Sequence, residues 1–223
     1  MMHTPLFPET EGIIQFEMDF RIAPPPTPHS IAELNAWRGL LYRLRLTGQD
    51  PLRYGGLAYG NVSQRETRDR FIISGTQTGG KERLTASDYC LVTGFDVEGN
   101  RIFAEGQIPP SSEALTHAAI YAAKETITHV LHIHSPEIWA HHEHLAIPTT
   151  GAEVPYGTPG MARAVQQAVL HGGQPIICML GHRDGVIAFG QSAEDTTLYL
   201  VRYLAKALQL VWSEEEIPAQ TSI

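Results

Sequence analysis

The nonapeptide Thr128-His129-Val130-Leu131-His132-Ile133-His134-Ser135-Pro136 constrains the fold of this chain more tightly than any other stretch. Thr128 to His134 carries apolar and β-branched residues in the pattern of a strand. Ser135 then supplies a helix N-cap. Pro136 suits the first helical position, where its missing N–H has no intrahelical partner to lose. A strand that runs directly into a capped helix points to an α/β chain. Thr158-Pro159 repeats the device and opens a helix expected to reach about Leu170. The last helix is expected to open at Ser192, with Asp195 three residues on, and to run to about Trp212.

The remaining elements follow from the same signals. Ser30 and Glu33 form a Ser-x-x-Glu capping box ahead of Ile31, Leu34, Leu41 and Leu44 at helical spacing. FIIS, YCLVTGF and NRIF, between Gly55 and Gly106, are short apolar runs separated by glycine-rich turns and predict strands. A second helix is expected near Ser111, after Pro109-Pro110. Ile176–Leu180 and Gly185–Phe189 read as a hairpin, so the sheet must be mixed or antiparallel rather than purely parallel. The run Ala23-Pro24-Pro25-Pro26-Thr27-Pro28 cannot be helix or central strand. Residues 1–29 are therefore expected to form an extended arm on the domain or a neighbouring subunit, 30–212 one domain, and 213–223 a polar tail.

Bulk properties exclude several classes of function. A net charge of -8 without a Lys/Arg run speaks against a nucleic-acid partner. No apolar run approaches the roughly 20 residues of a membrane span, and the first residues lack a signal-peptide pattern. Cys90 and Cys178 stand far apart in apolar surroundings and read as buried structural thiols of a reducing compartment, so a cytoplasmic location is expected.

Most of the 11 histidines cluster from His117 to His182, which directs the search for chemistry. On a strand, His132 and His134 share one face, their backbones roughly 6–7 Å apart. Imidazoles so spaced can converge on one ion with metal–nitrogen distances of about 2 Å. Leu131 and Ile133 take the opposite face, toward the core. The strand ends at His134, so both rings are expected at a rim open to a ligand. Taken alone, His-x-His on a strand also serves structure. His182, at the end of the apolar strand from Ile176, offers a third imidazole, and three neutral imidazoles leave an open coordination position. Glu113 is expected at a helix start, where it could act as a general base beside such an ion. His117, one turn later, could orient it, whereas His141, His142 and His144 read as a solvated or intersubunit helix face. Gly60-Asn61-Val62-Ser63 and Ser74-Gly75-Thr76-Gln77-Thr78-Gly79-Gly80 read as turns with donors for an oxyanion.

In this order, GNVS, an apolar strand leading into the SGTQTGG loop, SSE, HIH, and an apolar strand followed by His182, the chain resembles the class II aldolase/adducin family from about Ile31 to Trp212. The resemblance implies a three-layer α/β/α domain. It implies His132, His134 and His182 as ligands of a divalent metal, with zinc the usual ion, and Glu113 as the catalytic acid/base. Asn61, Ser63, Thr76, Ser111 and Ser112 would bind the substrate phosphate or its equivalent, and Tyr156 is the nearest candidate for an interface acid. It further implies a homotetramer with active sites between subunits, and aldol or retro-aldol cleavage of a small hydroxycarbonyl substrate, phosphorylated or not, through a metal-stabilised enediolate. Dehydratase, decarboxylase and epimerase chemistry share the scaffold, as does the non-catalytic adducin-like binding module. Two features depart from the family pattern: Gly181-His182-Arg183-Asp184-Gly185 places two residues between the third histidine and the next glycine, and SGTQTGG lacks the usual proline.

Overall fold

The computed structural model describes residues 12–215. Within them, ten strands and five α-helices follow the chain: β1 (Glu17–Ile22), α1 (Ala32–Arg43), β2 (Gly48–Gln49), β3 (Ala58–Tyr59), β4 (Asn61–Thr67), β5 (Arg70–Ser74), β6 (Tyr89–Asp96), β7 (Arg101–Gly106), α2 (Ala114–Ala123), β8 (His129–His134), α3 (Pro136–Ala140), α4 (Pro159–His171), β9 (Ile176–Cys178), β10 (Gly185–Gly190) and α5 (Ala193–Glu215). Eight strands form one sheet in the order β1-β7-β6-β5-β4-β8-β10-β9. Among these, only β1, paired with β7, runs parallel to its neighbour. The fold is the mixed-sheet α/β domain expected from the sequence.

Strand alternation divides the interior into two cores, one on each face of the sheet. Val130, Ile73, Cys90 and Ile187 pack with α2 and α4 on one face. Leu131, Ile133, Val62, Ile72 and Val186 pack with α1, α3 and α5 on the other. Helix α2 is apolar on nearly every side, from Ala114 to Tyr121, because it is held between the sheet and α4.

Three of the predicted caps form as expected. Ser135 Oγ accepts from the N–H of Ile138 at 3.3 Å, Thr158 Oγ1 from Met161 at 3.2 Å, and Ser192 Oγ from Asp195 at 3.0 Å. The fourth does not: α1 has Ile31 at its N-cap, and the Ser30 hydroxyl donates instead to the carbonyl of Thr27 at 2.8 Å. The turn at Thr27 competes for the same side chain and wins. GNVS is also not a turn. Gly60 turns the chain at φ 79°, and Asn61 already begins β4. The N-terminal segment supplies β1 at the sheet edge, α5 continues past Trp212 to Glu215, and the rest of the expected tail and residues 1–11 of the expected arm lie outside the described residues.

Candidate metal centre and acid/base site

Strand β8 lies between β4 and β10, and that placement builds the site. In register, His132 is opposite Asn61 on β4 and Ile187 on β10, while His134 is opposite Gly185. Both imidazoles therefore point to the α2 side. His182 comes from the β9–β10 connection, held by a tight ladder: Met179 N–H donates to Gly185 O at 2.9 Å, His182 N–H to Met179 O at 2.9 Å, and Gly185 N–H to His182 O at 3.0 Å. Gly181 is required here, since a Cβ would strike the carbonyl of Val154. Glu113 is the N-cap residue of α2 and reaches the same point from above the sheet.

One candidate ligand nitrogen from each of His132, His134 and His182 lies within 4.8 Å of the others. His132 Nε2 is 3.0 Å from Glu113 Oε2, and His182 Nδ1 is 3.4 Å from Glu113 Oε1. All four residues are buried, so the expected open rim is absent within one chain. The rings of Tyr54 and Tyr59 lie 4.5 and 5.3 Å from that of His134, and Tyr156 stacks on His182 at 4.3 Å. Burial, then the neighbouring His182 and His132, hold the His134 pKa well below the usual imidazole value, which favours the neutral, ligating form. Burial alone would raise the Glu113 carboxyl, but the His132 and His182 imidazoles outweigh it and keep Glu113 ionised. Neither ring nitrogen of His132 makes an aligned hydrogen bond, despite complete burial. A buried polar atom left in that state is costly unless a ligand takes it. Three buried imidazole nitrogens on one point, with a carboxylate beside them, fit a divalent cation such as zinc.

The other predicted residues divide into two groups. Asn61 Nδ2 donates to Glu113 Oε2 at 3.0 Å, fixing the carboxylate. Thr76, Ser111 and Ser112 line a small cup that shares Asn61 with the site. Ser63 does not belong there. It lies on the Asn61 face of β4, but two residues deeper, where its hydroxyl meets His117 Nδ1 at 2.7 Å and Tyr121 Oη at 2.8 Å under α2. Ser63, expected to contact substrate, is fully buried. His117 is engaged with Ser63, and burial pushes its pKa down to about 3, so it stays neutral. α3 ends at Ala140, which leaves His141, His142 and His144 beyond it in a turn rather than on a helix face.

Sequence reasoning missed a polar clamp behind the site. Tyr54 Oη donates to Asp184 Oδ2 at 2.7 Å, and Arg53 contacts both groups. Tyr54 and Asp184 take positive φ, 50° and 61°, which non-glycine residues adopt at an energetic penalty. Burial and the adjacent carboxylate raise the Tyr54 pKa, so the phenol stays a donor. The sole sequence hint was Asp184 itself, in the two-residue departure after His182.

The sequence matches the family model described as Class II Aldolase and Adducin N-terminal domain over residues 51–212. Among solved structures, the chain is similar to L-fuculose-1-phosphate aldolase from Thermus thermophilus, with 18% identity, 88% of this chain and 100% of that one covered, and a TM-score of 0.64. A sugar-phosphate aldolase from Thermotoga maritima gives 18% identity, coverage of 87% and 98%, and a TM-score of 0.65. YgbL from Klebsiella pneumoniae, whose reaction is described only as aldolase/epimerase/decarboxylase, gives 15% identity, coverage of 87% and 94%, and a TM-score of 0.62. At these identities the structural likenesses establish the fold.

Proposed function

Because this chain belongs to the class II aldolase and adducin family, we propose that it is a divalent-metal-dependent lyase. It would make or break a carbon–carbon bond beside the carbonyl of a small hydroxycarbonyl compound. The observation that carries the reading is the convergence of His132, His134 and His182 within 4.8 Å, with the Glu113 carboxylate 3.0 Å from the first of them. An ion held there, zinc by the chemistry of the donor set, supplies Lewis-acid stabilisation of the negative charge that develops on the substrate oxygens.

The chain's own residues do the rest. Glu113, ionised and desolvated, takes a proton from the substrate and returns it to the product. Asn61 holds in place the Oε2 atom, which also lies 3.0 Å from His132 Nε2. Tyr156, stacked on His182, lies within reach of the site and is a candidate second proton donor, with its hydroxyl accepting the N–H of Ile13 at 3.2 Å. Ser111 accepts the Glu113 N–H at 3.4 Å and steadies the turn into α2.

A dehydratase or epimerase could use the same base, and a decarboxylase, which expels CO2 before a proton is returned, the same stabilisation of negative charge; the description of YgbL favours keeping those reactions in view. Product analysis separates them. An adducin-like binding module has no need of three buried imidazoles and a desolvated carboxylate, which argues against that alternative. The reading extends to a homotetramer with sites between subunits and to a cytoplasmic location. Two buried free cysteines are consistent with a reducing compartment, and among the described residues no helix is long and apolar enough to cross a membrane. Sedimentation of the purified chain tests the assembly.

The decisive measurement is metal content against turnover. The purified chain is expected to hold one divalent ion per subunit. Chelation should abolish conversion of hydroxycarbonyl substrates, and zinc should restore it. Undiminished turnover by metal-free protein would refute the reading.

A further inference from the structure

The cup beside Glu113 sets a limit on the substrate. Asn61, Thr76, Thr78, Ser111 and Ser112 line it, and Gly12 lies against it from the N-terminal segment. That segment crosses as a strap tied at three points. Ile13 N–H donates to Tyr156 Oη at 3.2 Å, Gln15 Nε2 to Tyr156 O at 3.1 Å, and Asn100 Nδ2 to Gln15 O at 3.0 Å. Gly12 itself, at φ 73°, takes a left-handed conformation that favours glycine and lies against the Gln77 side-chain amide. With the strap in place the cup is a cavity of about 10 Å³. That is near the lower limit for one water molecule. A tetrahedral phosphoryl group, with three terminal oxygens around its phosphorus, is several times larger.

The charge of the lining side chains points the same way. Among the described residues, no Lys or Arg lines the cup. Three of the amides around it are committed: Gly75 N–H donates to Asp88 O at 2.8 Å, Thr76 N–H to Pro109 O at 3.0 Å, and Ser111 N–H to Ser74 O at 3.2 Å. The Thr78 hydroxyl donates to Gly75 O at 2.7 Å. Arg38, whose guanidinium serves the same loop, donates to the carbonyls of Thr78, Gly79, Lys81 and Glu82 and does not line the cup. A phosphate carrying about -1.5 to -2 charges would lose its hydration there and, among the described residues, would meet no lining cation.

We infer that the strap Gly12–Gln15 is a specificity element that closes the subsite to phosphate, so that the substrate is a short, unphosphorylated hydroxycarbonyl compound. This rests on the proposed lyase reading and adds the substrate class to it. Selection works by exclusion: a phosphate ester must displace the strap from Tyr156 before it can bind, which weakens its apparent affinity by the fraction of chains with the strap open.

The test uses the full chain and inorganic phosphate. Calorimetric titration of the metal-free wild type should show no saturable binding up to about 10 mM phosphate. Ile13→Pro removes the N–H given to Tyr156 at a residue whose side chain is exposed, and should gain measurable phosphate binding. Gln15→Ala, which cuts the second tie, serves the same purpose should the proline variant not fold. In the metal-loaded wild type, dihydroxyacetone should bind at least about tenfold more tightly than its phosphate ester, a difference of about 1.4 kcal/mol. That gap should narrow in Ile13→Pro. Saturable phosphate binding by the wild type, tighter binding of the ester, or strap variants that gain nothing would each overturn the inference. The phosphate titration needs no metal, so absence of bound zinc would count against the lyase reading and leave this result intact.

Discussion

Tyr54→Phe tests how the third histidine is held. The substitution keeps the ring that packs 4.5 Å from His134 and deletes only the hydroxyl that donates to Asp184 Oδ2 at 2.7 Å. No cavity is created, so the effect is confined to the hydrogen bond on a buried carboxylate and to the bond that the same hydroxyl accepts from Arg53. A bond to a charged group contributes about 1.5–3 kcal/mol. Arg53 remains 3.4 Å from the same oxygen and offsets part of the loss, which places the expected destabilisation near the lower half of that range, about 2 kcal/mol. Asp184 occupies the left-handed region at φ 61°, a conformation that costs about 1 kcal/mol or more in a non-glycine residue. The clamp is thus of the size needed to hold the strained turn that carries His182. Urea unfolding of metal-free protein should show a lower midpoint with an unchanged slope. Competition titration should show zinc affinity reduced by about tenfold, the usual effect of losing a group that orients a ligand. A variant within about 0.5 kcal/mol of wild type in stability, with zinc affinity unchanged, would refute the clamp.

Other substitutions separate the roles of neighbouring groups. His134→Ala should yield protein without stoichiometric metal by elemental analysis, whereas Glu113→Gln should retain the ion and lose about 10²–10⁴-fold in turnover, the range of a general base. Near-full activity of Glu113→Gln would remove its acid/base assignment. Ser63→Ala should leave His117 Nδ1 and Tyr121 Oη under-bonded and cost about 1–3 kcal/mol in chemical denaturation without changing metal content. A raised KM for substrate at unchanged kcat in that variant would place Ser63 in contact with substrate. Asp88 is held below the usual carboxylate range: burial raises it, but Lys81 at 2.6 Å and the Thr85 N–H and hydroxyl outweigh that. Its folded pKa is lowered, so its stabilisation is present above the unfolded pKa of about 3.9 and is lost as pH falls below that value and through the lowered folded pKa. Asp88→Asn should therefore be less stable than wild type at neutral pH, and the difference should shrink as the medium is acidified.

Local signals were legible wherever both partners lie within one helical turn. Ser135, Thr158 and Ser192 each cap an N–H three residues on, and the residue type with its spacing is sufficient to predict the bond. Ser30 shows the limit, because Thr27 offered the same hydroxyl a local alternative with no change in the motif. The facing of His132 and His134 was equally legible, since a strand alternates regardless of what surrounds it. Their burial was not. It depends on Tyr54, Tyr59 and Tyr156 arriving from segments distant in sequence, and no periodicity in β8 encodes those arrivals.

Ser63 shows why facing and function come apart. Asn61 and Ser63 share a face of β4, and both have polar side chains at positions consistent with a pocket. The register sets them apart: Asn61 is opposite His132, and Ser63 is opposite Val130, which belongs to the apolar core. One step of two residues along a strand, roughly 6–7 Å, carries a side chain from the carboxylate of Glu113 to the underside of α2. The sequence pattern supplies the face, but depth along the strand is set by where the helix N-terminus is anchored above it. Here that anchor is Ser111, whose N–H is tied to Ser74 O on β5, so the position of Glu113 is fixed by a strand two places away in the sheet from β8. The same bond commits one of the donors that a phosphate would need. The contact that brings the acid/base to the histidines therefore also narrows what can bind beside them.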